Sequence, residues 1–255
     1  MCGRFALAAS PEQLARQFEL PLLPPALKPR YNIAPTQPVA VIRIDATAER
    51  RRELGVTQWG LVPEWAKDPS IGSRMINARS ETLAEKPSFR SAYKRRRCLI
   101  PASGFFEWRT TPDKKKQPYF IHPRQNGDGA PAAVTSELFA FAGLWETWFS
   151  EDGSEVQTST IITTAANDIM RDLHHRMPVI LEAEQYAGWL DPDTDAPDRL
   201  NQYLGQYSSR KMNYYPVDRA MNSPRNDSAA CIEAVTLTQS VESKADQELS
   251  LFGEL

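Results

Sequence analysis

Cysteine and histidine are scarce in this sequence, three of each. Cys2, Cys98 and Cys231 cannot make a disulfide framework and no CxxC pair is present, so a reducing, cytoplasmic compartment is expected. Neither residue type shows metal-ligand spacing, so no metal site is expected, and no cofactor either. Long apolar runs are also missing. The longest, Leu138 to Trp145, is eight residues, whereas a membrane helix needs about 20. No apolar segment precedes a signal-type cleavage site, and internal repeats and low-complexity tracts are absent. Membrane-spanning helices, secreted disulfide scaffolds, zinc modules and solenoids are thereby set aside.

What is present is an ordinary globular composition, 41% apolar and 24% charged over 255 residues. At about 150 residues per domain this allows one large domain or two small ones. The linker-like stretches at 111–117, 124–137 and 150–155 are short, which favours one. The net charge is −2, too small for a strongly basic nucleic-acid binder. The charge is uneven, however. Residues 226–255 hold six acids and one lysine, which leaves the body mildly basic and compatible with polyanion binding. The expected division is a catalytic domain over 1–233 and an acidic, flexible tail over 234–255.

The chain opens with an extended stretch, Cys2 to Leu7. Ser10-Pro11-Glu12-Gln13 reads as a capping box with proline at the first helical position, and Leu14 and Phe18 share one face of the helix that follows. Strands are expected at 38–44, 55–61, 98–108, 118–122, 138–148, 158–164 and 178–181, rich in Val, Ile, Phe, Trp and Thr between Pro, Gly or Asp breaks. Helices are expected at 79–85, 167–173, 182–189 and 199–207. The order is not an alternating βαβ pattern. The fold class is therefore α+β, a single domain built on a mainly antiparallel, bent or barrel-like sheet with flanking helices.

The first chemistry-bearing feature is Met1-Cys2-Gly3-Arg4. Cysteine at position two is small enough for the initiator methionine to be trimmed, which would leave an α-amine beside a thiol. In model peptides these titrate near about 8 and 8.5, so both would be partly nucleophilic at neutral pH. Such a 1,2-aminothiol condenses with an aldehyde to an imine and then closes a thiazolidine ring. Two other readings stay open at this point. An N-terminal-nucleophile amidohydrolase or peptidase would use the same cysteine as a thiol nucleophile, and a buried cysteine needs no chemistry.

Further ordered blocks follow: Asn32-Ile33-Ala34-Pro35-Thr36-Gln37, Trp59-Gly60-Leu61-Val62-Pro63-Glu64-Trp65, Ile76-Asn77-Ala78-Arg79-Ser80-Glu81-Thr82, Cys98 to Trp108 and His174-His175-Arg176-Met177-Pro178. With Cys2-Gly3-Arg4 this set, spanning roughly residues 2–220, closely resembles the SRAP family, the SOS-response-associated peptidase-like proteins. The resemblance implies a protein that senses abasic sites in single-stranded DNA and crosslinks to them through Cys2 as a thiazolidine. It implies catalytic roles for Asn77, Glu107 and His174, and autopeptidase activity as a secondary property. A monomer at the nucleoid or replication fork is expected. A non-catalytic nucleic-acid-binding module is the third reading.

The residues fit those implied roles. Opening a deoxyribose hemiacetal needs a proton donor at the ring oxygen. Glu107, between Phe106 and Trp108, has the apolar setting that disfavours ionisation. Asn77 can orient by hydrogen bonds, and His174 can shuttle protons. The family commonly has an acidic residue where His175 stands, so the constant charge of a carboxylate is missing beside His174. Arg4, Arg79, Arg109 and Arg176 each lie two residues beyond a proposed site residue, the spacing of one strand face, and are candidate phosphate contacts. Trp65 is the candidate base-stacking surface, with Pro35 and Pro38 as wedges. Trp59, Trp145 and Trp148 are expected in the core. The basic runs around 90–97 and 114–116 read as solvated faces or peripheral phosphate contacts. Near the end, Glu248-Leu249-Ser250-Leu251-Phe252 resembles the short peptide that bacterial replication proteins place on the sliding clamp, with Leu249, Leu251 and Phe252 as apolar anchors on a polar tether.

Overall fold

Alternating Phe, Val, Ile and Thr make strands here wherever proline, glycine or aspartate does not interrupt them. The computed structural model describes residues 2–22, 27–45, 49–124 and 138–237. The strands are β1 (Phe5–Leu7), β2 (Arg30–Ile33), β3 (Pro38–Ile44), β4 (Arg52–Trp59), β5 (Asn77–Arg79), β6 (Arg97–Ala102), β7 (Gly104–Thr110), β8 (Lys116–Pro123), β9 (Phe139–Phe149), β10 (Glu155–Ala165), β11 (Arg176–Pro178), β12 (Ile180–Leu181) and β13 (Met212–Pro216).

Strand β10 pairs with β4, β4 with β3, β3 with β6, β6 with β9, and β9 with β10 again, which closes a five-stranded barrel. All these pairings are antiparallel except β4 with β10. Beyond β4, the short β5 takes the same edge of β10 in parallel, and β11 pairs with the last residues of β10. A second, antiparallel sheet runs β13-β8-β7-β1-β2. Together the barrel, the sheet and short helices make the α+β domain the strand pattern anticipates.

Both faces of the second sheet are covered, and the alternation along β1 and β7 shows how. Phe5 packs edge-on against Trp59 and Phe141 of the barrel, with ring centroids 5.2 and 5.7 Å away. Phe105 joins them at 5.9 Å from Phe141. Ala6 and Phe106 face the other way, into a cluster with Phe120, Val217, Met221, Cys231 and Ile232. The chain after β13 therefore closes the outer face, and it is tied there. Asn32 is fully buried; its amide donates to the carbonyls of Met221, Ser223 and Asn226 at 2.8, 3.1 and 2.7 Å.

The capping box is as read: Ser10 caps the helix α1 (Pro11–Gln17) reciprocally with Gln13, and Leu14 and Phe18 are buried together. Other expectations need correction. The single strand expected over 98–108 is two strands in different sheets. The chain turns at Ser103, whose N–H donates to Ala6 O at 2.7 Å. A β-carbon at Gly104 would lie 2.2 Å from Phe120 Cζ, so only glycine fits the corner. The helix expected over 79–85 is reduced to a single 3-10 turn, Ser80–Thr82, because β10 takes up Asn77–Arg79 as a strand. The helices expected at 167–173, 182–189 and 199–207 are shorter, at Asp168–Arg171, Tyr186–Leu190 and Pro197–Asn201. The basic run at 94–97 is not wholly a solvated face: Arg97 is buried, donating to the carbonyls of Trp189 and Tyr93 at 2.7 and 2.9 Å.

Among the described residues no helix is long and apolar enough to cross a membrane. The clamp-like segment 248–252 lies outside the described residues, as does most of the expected tail.

Candidate active site at the amino terminus

The register of β1 on β7, Phe5 opposite Phe105 and Ala6 opposite Gly104, continues one step as Phe106 N–H donates to Arg4 O at 3.0 Å. The first residues are thereby laid beside Phe106 and Glu107. Glu107 lies on the same face of β7 as Phe105, towards the barrel, and is only 3% exposed. Burial raises its pKa above the ordinary carboxylate value, while the positive charge of the amino end works against that rise.

Cys2 is fully buried. Burial and then the nearby Glu107 charge push its thiol pKa far up, so the thiol is neutral. The partly ionised thiol expected from the sequence is thus corrected, because a model-peptide value assumes water around the sulfur. The side chain of Asn77 donates to Cys2 O at 2.8 Å. Asn77 is held there by β5, and the preceding carbonyl of Ile76 accepts from Trp59 Nε1 at 2.8 Å. Asn77 Oδ1 is buried and, among the described residues, has no donor.

His174 ends the turn that follows the Asn167-capped helix, its N–H donating to Met170 O at 2.8 Å. Its Nδ1 accepts from Arg176 N–H at 2.9 Å. A neutral imidazole that accepts at Nδ1 carries its hydrogen on Nε2. Burial, the amino end and the stacked His175 ring, 4.2 Å away, lower its pKa to about 4. His175 thus pushes His174 towards neutrality, where a carboxylate would have raised its pKa. The charge of the amino end acts on both Glu107 and His174, Glu107 acts on Cys2, and Asn77 is bonded to Cys2 O.

The candidate DNA contacts are placed less uniformly. Arg79, on the same face of β5 as Asn77, is exposed, and its side chain makes no hydrogen bond or ion pair among the described residues. Trp65 is 59% exposed, in the tight turn where Ala66 N–H donates to Pro63 O. Pro35 is half-buried in the turn before β3, and Pro38 is exposed. Arg109 lies over Tyr119, 5.1 Å from the ring centroid. Arg4 donates to Asn32 Oδ1 at 2.8 Å and to the carbonyls of Met221 and Asn222. Arg176 is doubly bonded to Glu81 and donates to Thr163 O at 2.6 Å. Trp59 and Trp148 are buried, and Trp145 is half-buried under Arg43.

Sequence reasoning missed two residues here. Asn32 anchors Arg4 and the outer segment, and Glu81 holds Arg176. Both stand inside the quoted blocks, but their partners lie far along the chain, beyond the reach of local pattern. Among the described residues, no group of three or more His, Cys, Asp or Glu side chains could hold a metal ion.

A family profile described as SOS response associated peptidase (SRAP) matches residues 1–224. The abasic site processing protein YoqW of Bacillus subtilis is 43% identical over 236 residues, covering 92% of this chain and 100% of that protein. The abasic site processing protein HMCES of Xenopus tropicalis is 32% identical, covering 83% of this chain and 68% of that protein. A crystal structure of a Bacteroides thetaiotaomicron protein superposes with a TM-score of 0.77 at 25% identity, covering 92% of this chain and 100% of that one. The chain belongs to the SOS response associated peptidase family.

Proposed function

We propose that this protein captures abasic sites in single-stranded DNA and crosslinks to them through Cys2 after Met1 is removed. The observation that carries the reading is a second-position cysteine bonded by a carboxamide and next to a buried carboxyl, with an imidazole that also feels the charge of the amino end. The relatives named as abasic site processing proteins support the choice of substrate.

The chemistry follows from the protonation states. Glu107, held towards its neutral form, donates a proton to the ring oxygen while the anomeric hydroxyl returns its proton to the carboxylate, and the sugar opens to its aldehyde. The Cys2 amine attacks the aldehyde carbon, and the carbinolamine loses its hydroxyl as water to leave an imine. The thiol then adds across the C=N bond: sulfur bonds to carbon and the thiol proton passes to nitrogen. One water leaves overall. The neutral thiol makes the amine the first nucleophile, which favours this order over direct thiolate attack on an amide, as an amidohydrolase or peptidase would need. The unpartnered Asn77 Oδ1 is an acceptor for the amine or carbinolamine hydrogens. His174, with hydrogen on Nε2, offers a donor to the departing or returning hydroxyl.

Arg79 and Trp65 are the exposed phosphate and base contacts of the proposal, with Arg4, Arg109, Arg176 and Pro35 around them. Glu81 competes with phosphate for Arg176. Glu81→Gln should therefore free Arg176 to hold one more phosphate, and the log–log salt dependence of single-strand binding should steepen by about 0.7. An unchanged slope in a fluorescence titration would make Arg176 a structural tie only. Binding of the tail to a sliding clamp through Leu249, Leu251 and Phe252 belongs to the same proposal. Anisotropy of the 240–255 peptide with a clamp decides it, and equal binding after Leu251→Ala plus Phe252→Ala would rule it out.

Cys2→Ser tests the reading. The variant retains the amine, so it should form an imine that borohydride traps, yet no crosslink that survives without reduction. A Cys2→Ser crosslink as durable as the wild type would remove the thiol from the mechanism.

A further inference from the structure

A pocket of about 320 Å³ opens at the barrel end away from Cys2, and nothing in the chemistry above uses it. That volume is within the usual range of small-ligand sites, about 300–1,000 Å³. Four arginines line it, Arg43, Arg50, Arg95 and Arg97, together with Trp145 and an apolar floor of Ile44, Leu190 and Pro192. Its position follows from β4. Arg52 pairs with Ile44 at the pocket, whereas Trp59 contacts Phe5 near the amino terminus. Seven residue steps at about 3.3 Å put the two ends roughly 23 Å apart.

The charges in the wall are only partly matched. Arg43 is paired with Glu53 at 2.7 Å and bonded to Gln157, and it lies 4.4 Å from the Trp145 ring centroid. Arg50 is paired with Asp193, and Asp45 is the acid in the lining. Arg97 is buried and meets backbone carbonyls, with no ion pair among the described residues. The Arg95 side chain is exposed and makes no hydrogen bond or ion pair among the described residues. Asp191 and Asp195 act on Arg97, and Asp193 and Asp191 on Arg50, so Arg95 is the lining cation that leaves the pocket attractive to an anion. The apolar floor beside the cations suits a ligand with a flat hydrophobic part and a phosphate.

We propose that this pocket holds one nucleotide unit of a DNA single strand, its phosphate on Arg95 and its base against Ile44, Leu190 and Pro192. The choice of a strand over a free nucleotide rests on the function proposed above. A strand seated at both ends of the barrel would be held on either side of the lesion, and longer strands would bind more tightly than short ones.

Calorimetry of the full chain with deoxyadenosine monophosphate, and with deoxyadenosine as the phosphate-free control, tests the pocket. The nucleotide should bind and the nucleoside should not. Arg95→Glu should weaken nucleotide binding about tenfold or more, while Arg210→Gln, in the turn before β13, should leave it as it was. A length series of undamaged single strands tests the occupant: Arg95→Glu should abolish the advantage of long strands. No nucleotide binding by wild type, or equal binding by Arg95→Glu, overturns the pocket. Nucleotide binding with the length advantage intact in Arg95→Glu overturns the strand as occupant. Crosslinking of wild type to an abasic strand is scored separately: its absence would count against the function above, while the calorimetry would still decide the pocket.

Discussion

Glu107→Gln should slow crosslinking to an abasic single strand by roughly 10²–10⁴-fold, the usual worth of one general acid–base group. The amide nearly matches the carboxyl in shape, so Phe105 and Phe106 keep their packing and the site stays assembled. What is lost is a proton that can be given and recovered. The pH dependence separates this from a steric effect. Burial raises the Glu107 pKa, so the acid form survives to higher pH than an exposed glutamate would allow. The wild-type rate should fall as pH rises through that raised value, and the limb should vanish in Glu107→Gln. His174 works differently. With a pKa lowered to about 4 it stays neutral across the whole interval from pH 5 to 8 and should add no limb there. Folding disfavours its protonated form, so its contribution to stability is constant above the unfolded value near 6.5 and is lost as pH falls from there towards about 4. Single-turnover gels across pH measure the rates, and an undiminished Glu107→Gln rate would remove Glu107 from the proton path.

Asn32→Ala should cost about 3 kcal/mol or more of stability, although the residue touches no reacting group. Its fully buried carboxamide accepts from Arg4 and donates to three carbonyls of the segment that closes the second sheet. Truncation leaves those groups facing a hole, and each unsatisfied buried group costs about 1–3 kcal/mol. In a chain of this size the melting temperature should fall by about 6–12 °C. Arg4 would lose one of its three anchors, so the variant should also loosen the first residues on which the chemistry depends. A calorimetric shift of less than about 2 °C would mean that Asp227, which accepts from the N–H groups of Tyr31 and Asn32, holds the segment without help from Asn32.

These two residues also show what local sequence can and cannot reveal. The Ser10 cap and the strand Pro38–Ile44 were legible because their causes lie within a few residues. The break at Ser103 was not. Both flanking stretches are apolar, and the corner comes from Ala6 and Phe120, distant in sequence. Arg79 reads as the start of a helix in isolation and instead ends a strand, because β10 offers a parallel edge to Asn77–Arg79. Arg97 sits in a charge run yet is drawn inward by carbonyls some ninety residues later. The candidate site residues Cys2, Asn77, Glu107 and His174 all stand within the ordered blocks. The protonation states of Cys2 and His174 were not legible, since they come from burial and from neighbours that only the fold supplies.

The central claim is a covalent bond from the second residue to the sugar, and intact mass spectrometry addresses it most directly. After incubation with a single strand carrying one abasic site, without borohydride, the product should equal the protein lacking Met1 plus the strand minus one water. Peptide mapping should then place the adduct on Cys2. A product that retains Met1, or an adduct on a lysine, would contradict the account.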